Sequence, residues 1–174
     1  GGILKVIPLR ENQSLDYEAY EKLINTQTKL IAITHVSNTL GLITNLERIK
    51  KGAAQKNIPV LVDGAQSVPH MAVDLTALDV DFYVCSAHKV YGPTGVGLLY
   101  LSEKWLKDLP LARSGGGTIK TVSFEKTEYV EGALRFEPGT EHLKRKRILI
   151  TVEDKRRDAI GFSENNPISV GADL

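Results

Sequence analysis

The sequence predicts an α/β fold, with a mostly parallel sheet and flanking helices. Short apolar runs rich in β-branched and aromatic residues occur at 30–34, 59–62 and 82–84, and such runs are typical of buried strands. Segments with apolar residues at helical spacing lie on either side of the first run, at 15–25 and 44–56. Strands that alternate with helices at this spacing indicate right-handed βαβ units.

The amino-terminal half also contains one weaker strand candidate and two signals for helix starts. Residues 5–9 form the strand candidate, and Pro8 assigns it to an edge because proline cannot donate a ladder hydrogen bond. Ser14 is a suitable cap for the first helix, and Thr44 or Asn45 for the second. The apolar faces of the two helices comprise Leu15, Ala19, Leu23, Leu46, Ile49 and Ala53.

The pattern becomes less regular in the second half of the chain. Residues 97–101 predict a further strand, and Ser102 marks the start of a short amphipathic helix. The glycines at 115–117 indicate either a flexible hinge or a close backbone approach. Residues 133–137 resemble one more strand.

Length and composition indicate a single domain of ordinary soluble character. The 174 residues include 22 basic and 21 acidic side chains, and a net charge of +1 favours neither nucleic acid nor a membrane as partner. The single cysteine excludes an internal disulfide framework. No apolar run approaches the roughly 20 residues of a membrane span. We therefore expect a cytoplasmic protein.

The predicted domain organisation is one incomplete core over 1–140, followed by a divergent or disordered tail over 141–174. The tail contains two basic clusters, at 144–147 and 155–157. Such clusters contact nucleic acid in some proteins, but we expect these to be solvated.

Polar side chains follow three of the predicted strands. In open α/β sheets, ligands bind outside the carboxyl ends of the strands. A half-buried lysine at such an end can act as an amine nucleophile. The residues concerned are His35, Ser37 and Asn38 after the first strand, Asp63 and Gln66 after the second, and Ser86, His88 and Lys89 after the third.

This set of groups fits pyridoxal 5′-phosphate. The cofactor needs an amine for a Schiff base, an acid beside its ring nitrogen and donors for its phosphate. A lysine, an aspartate, and hydroxyl and imidazole groups at neighbouring strand ends supply all three. A metal site is not favoured, because Asp63 and His88 have no third ligand at a convincing spacing.

Two motifs make this interpretation specific. Residues 63–66 (DGAQ), followed by 86–95 (SAHKVYGPTG), resemble the class V aminotransferase family of fold-type I pyridoxal-phosphate enzymes, and within it the SufS/CsdA-type cysteine desulfurases. Residues 34–38 (THVSN) and 135–140 (RFEPGT) are similar to further family segments. The resemblance covers the chain up to residue 140 and implies the central part of the large cofactor-binding domain of that fold.

The resemblance implies three roles around the cofactor ring. Lys89 would hold the cofactor in a Schiff base and would move protons at the substrate carbon. Asp63 would pair with the protonated ring nitrogen, so that the ring acts as an electron sink. Gln66 would hydrogen-bond the phenolic oxygen.

Four further residues are implied at the phosphate and the substrate. Ser86 and His88 would donate to the phosphate. Asn38 would lie near the phenolic oxygen and the substrate carboxylate. Thr140 would reach the phosphate of a partner subunit, which implies a homodimer.

Each of these residues also has a plainer interpretation. Aspartate and asparagine commonly cap turns, and a lysine or histidine in a loop is commonly an ordinary exposed side chain. The cap interpretation applies to Asp63 and Asn38, the exposed-residue one to His88 and Lys89, and loop stabilisation to Gln66, Ser86 and Thr140. His35 is as suited to orienting its loop as to touching a ligand.

Desulfuration in this family uses a cysteine thiolate on a mobile loop, and Cys85 does not fit that role. It lies inside a predicted buried strand, where a thiol stays protonated and inaccessible. The sequence also lacks the family's upstream cofactor-binding segment and its carboxyl-terminal domain with the catalytic cysteine and substrate-binding arginine. We therefore expect a fragment with half a site, which turns over L-cysteine slowly or not at all.

The favoured function is the cofactor-binding core of a cysteine desulfurase. Such an enzyme converts L-cysteine to L-alanine and passes sulfur, as a persulfide, to an acceptor protein for iron–sulfur cluster assembly. One alternative is another class V enzyme, such as a selenocysteine lyase, an epimerase or an aminotransferase. The other is a non-catalytic fold fragment or dimerisation module.

Overall fold

The structure is a computed structural model that describes residues 1–139 and 159–160. These residues form two compact units, one comprising 1–100 with 159–160 and the other comprising 101–139. Apart from 159–160, the tail predicted over 141–174 lies outside the described residues. Within the described part of the chain, no helix has the length and apolar character required to cross a membrane.

Strands and short helices follow one another along the described chain. In order, the strands are β1 (Ile31–Thr34), β2 (Val60–Asp63), β3 (Val73–Asp74), β4 (Phe82–Ser86), β5 (Gly97–Leu101), β6 (Ile119–Val122), β7 (Thr127–Tyr129) and β8 (Ala159–Ile160). The α-helices are α1 (Tyr17–Leu23), α2 (Leu46–Ala54), α3 (Leu75–Leu78) and α4 (Glu103–Asp108). Single turns of 3-10 helix occur at Ala87–Val90 and Ala133–Phe136.

The main sheet has the strand order β1-β2-β4-β5. β1 and β2 run parallel, with Thr34 opposite Asp63. β2 and β4 also run parallel, with Asp63 opposite Val84. The predicted α/β fold, with a mostly parallel sheet and flanking helices, is confirmed. The carboxyl ends of β1, β2 and β4 therefore meet at one edge of the sheet.

The two predicted helices of the first unit are present, and the cap of α1 differs from the expected residue. Asp16 caps α1, because its carboxylate accepts from the backbone N–H groups of Glu18 at 3.1 Å and Ala19 at 3.0 Å. The cap predicted at Ser14 is wrong, since its hydroxyl donates to Asn12 Oδ1 at 2.7 Å instead.

The second helix follows the prediction closely. Asn45 caps α2 by accepting from the backbone N–H of Arg48 at 2.9 Å. The predicted inward residues Leu46, Ile49 and Ala53 are all buried. They join a core formed with the inner residues of the sheet, such as Val62.

A buried hydrogen bond ties α1 to α2. The Tyr20 hydroxyl donates to the Ile49 carbonyl at 2.6 Å, and both residues are fully buried. Burial raises the pKa of Tyr20 to about 12, so the phenol keeps its proton and remains a donor. The two helices are thus joined by a polar contact inside an apolar interface.

Two strand predictions in the first unit need correction. Residues 5–9 form no strand: Leu9 makes only an isolated antiparallel bridge with Leu15, and Pro8 has no N–H to extend it. β1 is not covered on both faces as expected. Ile31 is buried while Ala32 and Thr34 are exposed, so one face of β1 is open in the described part of the chain.

The second unit contains a hairpin that the sequence did not indicate. β6 and β7 pair antiparallel, with Val122 opposite Thr127. Ser123 closes the turn between them, since its Oγ accepts from the backbone N–H of Lys126 at 3.1 Å. The short helix predicted from Ser102 is present as α4.

Residues 133–137 do not form the predicted strand. Instead, Ala133–Phe136 form a single turn of 3-10 helix, and Gly132 before it has a φ of 73°. This positive φ favours glycine and reverses the direction of the chain. The glycines at 115–117 form a close backbone approach, because the Gly139 N–H donates to the Gly116 carbonyl at 2.9 Å.

Candidate functional site

The parallel strands bring six of the seven predicted site residues to one edge of the main sheet. Each of the six lies at, or a few residues beyond, the carboxyl end of β1, β2 or β4. The seventh, Thr140, lies outside the described residues. The six are Asn38 in the loop after β1, Asp63 and Gln66 at the end of β2, and Ser86, His88 and Lys89 at the end of β4.

Lys89 lies on the single-turn helix Ala87–Val90, which follows β4 directly. The turn ends at Tyr91 with φ of 62°. The Gly92 N–H then donates to the Ala87 carbonyl at 2.8 Å, and a Cβ on Gly92 would lie within 2.9 Å of Ala87 atoms. Lys89 is half-buried, and among residues 1–139 no carboxylate lies within ion-pair distance of its Nζ.

Asp63 ends β2 with its side chain exposed. One carboxylate oxygen accepts from the Ala65 N–H at 2.9 Å, which is the turn-capping role of the plainer interpretation. The Asp63 backbone is fixed as well, since its carbonyl accepts from the His35 N–H at 2.8 Å. The rest of the carboxylate remains available to a ligand.

The remaining polar groups differ in how firmly the chain holds them. The backbone carbonyl of Gln66 lies 2.7 Å from His70 Nδ1, and this contact orients the turn after β2. Asn38 is exposed, and its Oδ1 accepts from the Thr39 hydroxyl at 3.3 Å. Ser86 is half-buried at the end of β4, and His88 is exposed.

A buried polar chain lies within the same sheet edge and connects β1 to β4. His35 Nδ1 is 3.0 Å from the Tyr83 hydroxyl, which is 2.5 Å from Ser67 Oγ. Ser67 Oγ donates to the Gly64 carbonyl at 3.0 Å. The sequence analysis missed Tyr83 and Ser67, and left His35 open between orienting its loop and touching a ligand.

Burial sets the protonation of this polar chain. It raises the pKa of Tyr83 to about 12 and lowers the pKa of His35 below 6.5. The phenol therefore keeps its proton at neutral pH, and the imidazole is uncharged. Burial, with a smaller contribution from Asp63, also raises the pKa of Cys85. Cys85 is the buried, protonated thiol that the sequence predicted.

No cluster of three or more histidine, cysteine or acidic side chains suited to a metal occurs in the described part of the chain. The chemistry offered at the sheet edge is instead an amine, a carboxylate, an amide and hydroxyl or imidazole donors. Groups of these types together bind an organic ligand that has a carbonyl and anionic parts.

A parallel sheet with a lysine, an aspartate, a serine and a histidine at or beyond its strand ends is an arrangement found in the fold-type I transferases. The family model described as "Aminotransferase class-V" matches residues 1–147. The chain belongs to the class-V aminotransferase family.

Relatives of this chain include proteins that are named cysteine desulfurases. A cysteine desulfurase from Shigella sonnei (strain Ss046) is 49% identical over 141 residues, covering 80% of this chain and 35% of that protein. The crystal structure of the cysteine desulfurase CsdA from Escherichia coli has a TM-score of 0.74 at 33% identity, covering 78% of this chain and 34% of that one.

A third comparison concerns the cofactor. A C-DES mutant, described with glycine covalently linked to the PLP cofactor, has a TM-score of 0.64 at 28% identity. The match covers 71% of this chain and 34% of that one. The chain thus spans about a third of the length of the curated relatives it matches.

Proposed function

We propose that this chain is the cofactor-binding core of a pyridoxal-phosphate-dependent cysteine desulfurase, which takes sulfur from L-cysteine and leaves L-alanine. The observation that carries the proposal is the position of three residues on the adjacent strands β2 and β4. Asp63 and Ser86 are the last residues of β2 and β4, and Lys89 lies three residues after Ser86. The 49% identity to a cysteine desulfurase supports the choice of substrate.

The residues at the sheet edge fit the cofactor in number and in chemical type. Lys89 offers a half-buried amine without an ion-pair partner among the described residues, and Asp63 offers an exposed carboxylate on a fixed backbone. Ser86 and His88 offer donors within three residues of the amine. When bound, pyridoxal phosphate supplies an electron sink for the carbon beside the amino group of the substrate.

The chain's own residues would divide the work between binding and proton transfer. The Lys89 amine would hold the cofactor and then move a proton at the substrate's α-carbon. The Asp63 carboxylate would keep a proton on the ring nitrogen. Four other side chains would bind and orient: Gln66 and Asn38 at the phenolic oxygen, and Ser86 and His88 at the phosphate.

The sulfur-accepting cysteine of this proposal is not Cys85. A persulfide forms on an exposed thiolate, whereas Cys85 is buried and its pKa is raised by that burial. The thiol instead fills space between β4 and the core.

The proposal extends to the setting of the enzyme. The proposed enzyme would be a cytoplasmic homodimer. Thr140, which lies outside the described residues, would bind the cofactor phosphate of the partner subunit. The enzyme would pass sulfur to an acceptor protein for iron–sulfur cluster assembly. The resemblance of residues 135–140 to a family segment supports the dimer, and the cysteine desulfurase relatives support the sulfur transfer.

Cofactor uptake by the purified 174-residue chain tests the first step. Added pyridoxal phosphate should give a protein-bound visible absorbance band in the wild type and in Lys56→Ala, which changes an exposed lysine two residues after α2. The band should be absent in Lys89→Ala. A folded wild type that binds no cofactor would contradict the proposal, as would an unchanged band in Lys89→Ala.

The products formed from L-cysteine test the reaction. A cysteine desulfurase core that turns over should form one alanine for each sulfur atom removed. With added dithiothreitol as the sulfur acceptor and two-electron reductant, that sulfur should be released as sulfide in an amount equal to the alanine. A keto acid in place of alanine would assign the chain to another class V activity.

A further inference from the structure

The polar chain from His35 through Tyr83 and Ser67 to the Gly64 carbonyl is almost wholly shielded from water. Its three side chains are 6%, 3% and 0% exposed, respectively. The last acceptor of this polar chain is the Gly64 carbonyl, in the turn that follows Asp63 and contains Gln66. The polar chain therefore supports that turn. Buried polar chains of this kind fix geometry when every member is satisfied.

The direction of each hydrogen bond follows from what each group can donate. The Gly64 carbonyl can only accept, so Ser67 uses its one hydroxyl proton there. Ser67 Oγ must then accept from Tyr83, which uses up the one phenolic proton. Tyr83 can therefore only accept from His35, whose Nδ1 must carry the imidazole proton. All three hydrogen bonds are satisfied in this arrangement alone.

Packing reinforces the hydrogen bonds at the same place. A Cβ on Gly64 would overlap the Tyr83 ring, so the turn backbone lies directly against the hydroxyl-bearing end of that ring. The Gly64 N–H donates to the Val84 carbonyl at 2.8 Å, and the Gly64 carbonyl accepts from Ser67 and Val68 N–H groups, each at 3.1 Å. Tyr83 thus contacts the turn through both its ring and its hydroxyl.

We propose that Tyr83 is a positioning residue: its hydroxyl, held between His35 and Ser67, fixes the 64–67 turn in the conformation that presents Asp63 and Gln66 to the cofactor. The role toward the cofactor rests on the proposed function. The effect on the turn and on His35 does not, because it is a property of the cofactor-free chain.

The first experiment therefore uses the cofactor-free chain. Heteronuclear NMR of the labelled imidazole nitrogens should find the His35 proton on Nδ1 in the wild type. In Tyr83→Phe the acceptor for that proton is lost, and the proton should move to Nε2. Amide hydrogen exchange at Ser67 and Val68 should become roughly three- to tenfold faster, as expected for the loss of one buried hydrogen bond.

Tyr20→Phe is the matched control. Tyr20 is also a fully buried tyrosine with one hydroxyl hydrogen bond, but its partner is the Ile49 carbonyl between α1 and α2. This variant should lose comparable stability while keeping the His35 proton on Nδ1 and the exchange at Ser67 and Val68 near the wild-type rate. An Nδ1 proton retained in Tyr83→Phe, or exchange accelerated equally in both variants, would overturn the inference.

The second experiment measures cofactor affinity by equilibrium titration. The dissociation constant for pyridoxal phosphate should rise roughly three- to tenfold in Tyr83→Phe and less than about twofold in Tyr20→Phe. Equal affinities in the wild type and Tyr83→Phe would overturn the role toward the cofactor. If the wild type itself binds no cofactor, the proposed function fails, and the NMR and exchange results still decide whether Tyr83 positions the turn.

Discussion

At the carboxyl end of β2, Asp63 combines a structural contact with an open functional group. Its Oδ1 accepts from the Ala65 N–H, yet the side chain remains exposed. A carboxylate has two oxygens and about four acceptor positions, so capping a turn and binding a ligand are compatible in one residue. The two interpretations of Asp63 that the sequence left open are therefore not exclusive.

Gly64→Ala should be strongly destabilising, because the added Cβ would overlap the buried ring of Tyr83. We expect a loss of about 1–3 kcal/mol in the free energy of unfolding, typical of an overpacked site, measured by urea denaturation. Gly116→Ala is the matched control, since no atom lies within 4 Å of a Cβ built there. Equal stability in the two variants would contradict the close packing of Gly64 on Tyr83.

The pH dependence of stability should report the buried imidazole of His35. Burial lowers its pKa in the folded chain below the unfolded value of 6.5, so the unfolded state binds more protons as the pH falls. The free energy of unfolding should be undiminished above pH 6.5 and should decrease as the pH drops below that value and through the folded pKa.

Urea denaturation across this range measures the effect. The decrease should persist in His88→Gln, which changes an exposed histidine, and should be smaller in His35→Gln. A profile for His35→Gln that parallels the wild type would show that another group is responsible.

At the scale of single elements, α2 agrees with the prediction from the sequence, and several other elements do not. Its cap, its apolar face and its place between two parallel strands all favour the same helix. The α1 cap was assigned two residues early, because Ser14 and Asp16 are both good caps and only the tertiary contacts decide between them.

Among the elements that the sequence did not predict, the β6–β7 hairpin and the 3-10 turn at Ala133–Phe136 lie in the second unit. All four residues of β6 are exposed, so burial imposes no alternation of apolar and polar residues from which a strand could be predicted. At 133–137 the residues favour a strand, but Gly132 adopts a positive φ and turns the chain into a 3-10 helix.

Ile49→Ala should show how much α2 depends on its packing. Ile49 is fully buried between α1 and the sheet core, and removing a buried isoleucine side chain costs about 2–5 kcal/mol. Thermal and urea unfolding measure the loss. Ile43→Ala, at a position 64% exposed, should change stability little; an equal loss in both variants would contradict the packing described for α2.

At the scale of the whole molecule, the site depends on residues far apart in the sequence. The sequence predicted which polar residues follow which strands, because buried runs and the polar groups after them are local signals. It did not predict the contact of His35 with Tyr83, 48 positions away. Tyr83 lies within an apolar run and looks like an ordinary core residue, so its hydrogen bonds emerge only when β1 and β4 lie in one sheet.

The central claim, that Lys89 holds pyridoxal phosphate at this edge of the sheet, is tested most directly by locating the attached cofactor. The chain with cofactor is reduced with borohydride, digested and analysed by peptide mass spectrometry. We predict one modified peptide, with the reduced cofactor on Lys89 and little on the exposed Lys56. Cofactor spread over surface lysines, or absent from Lys89 in a folded chain, would contradict the account.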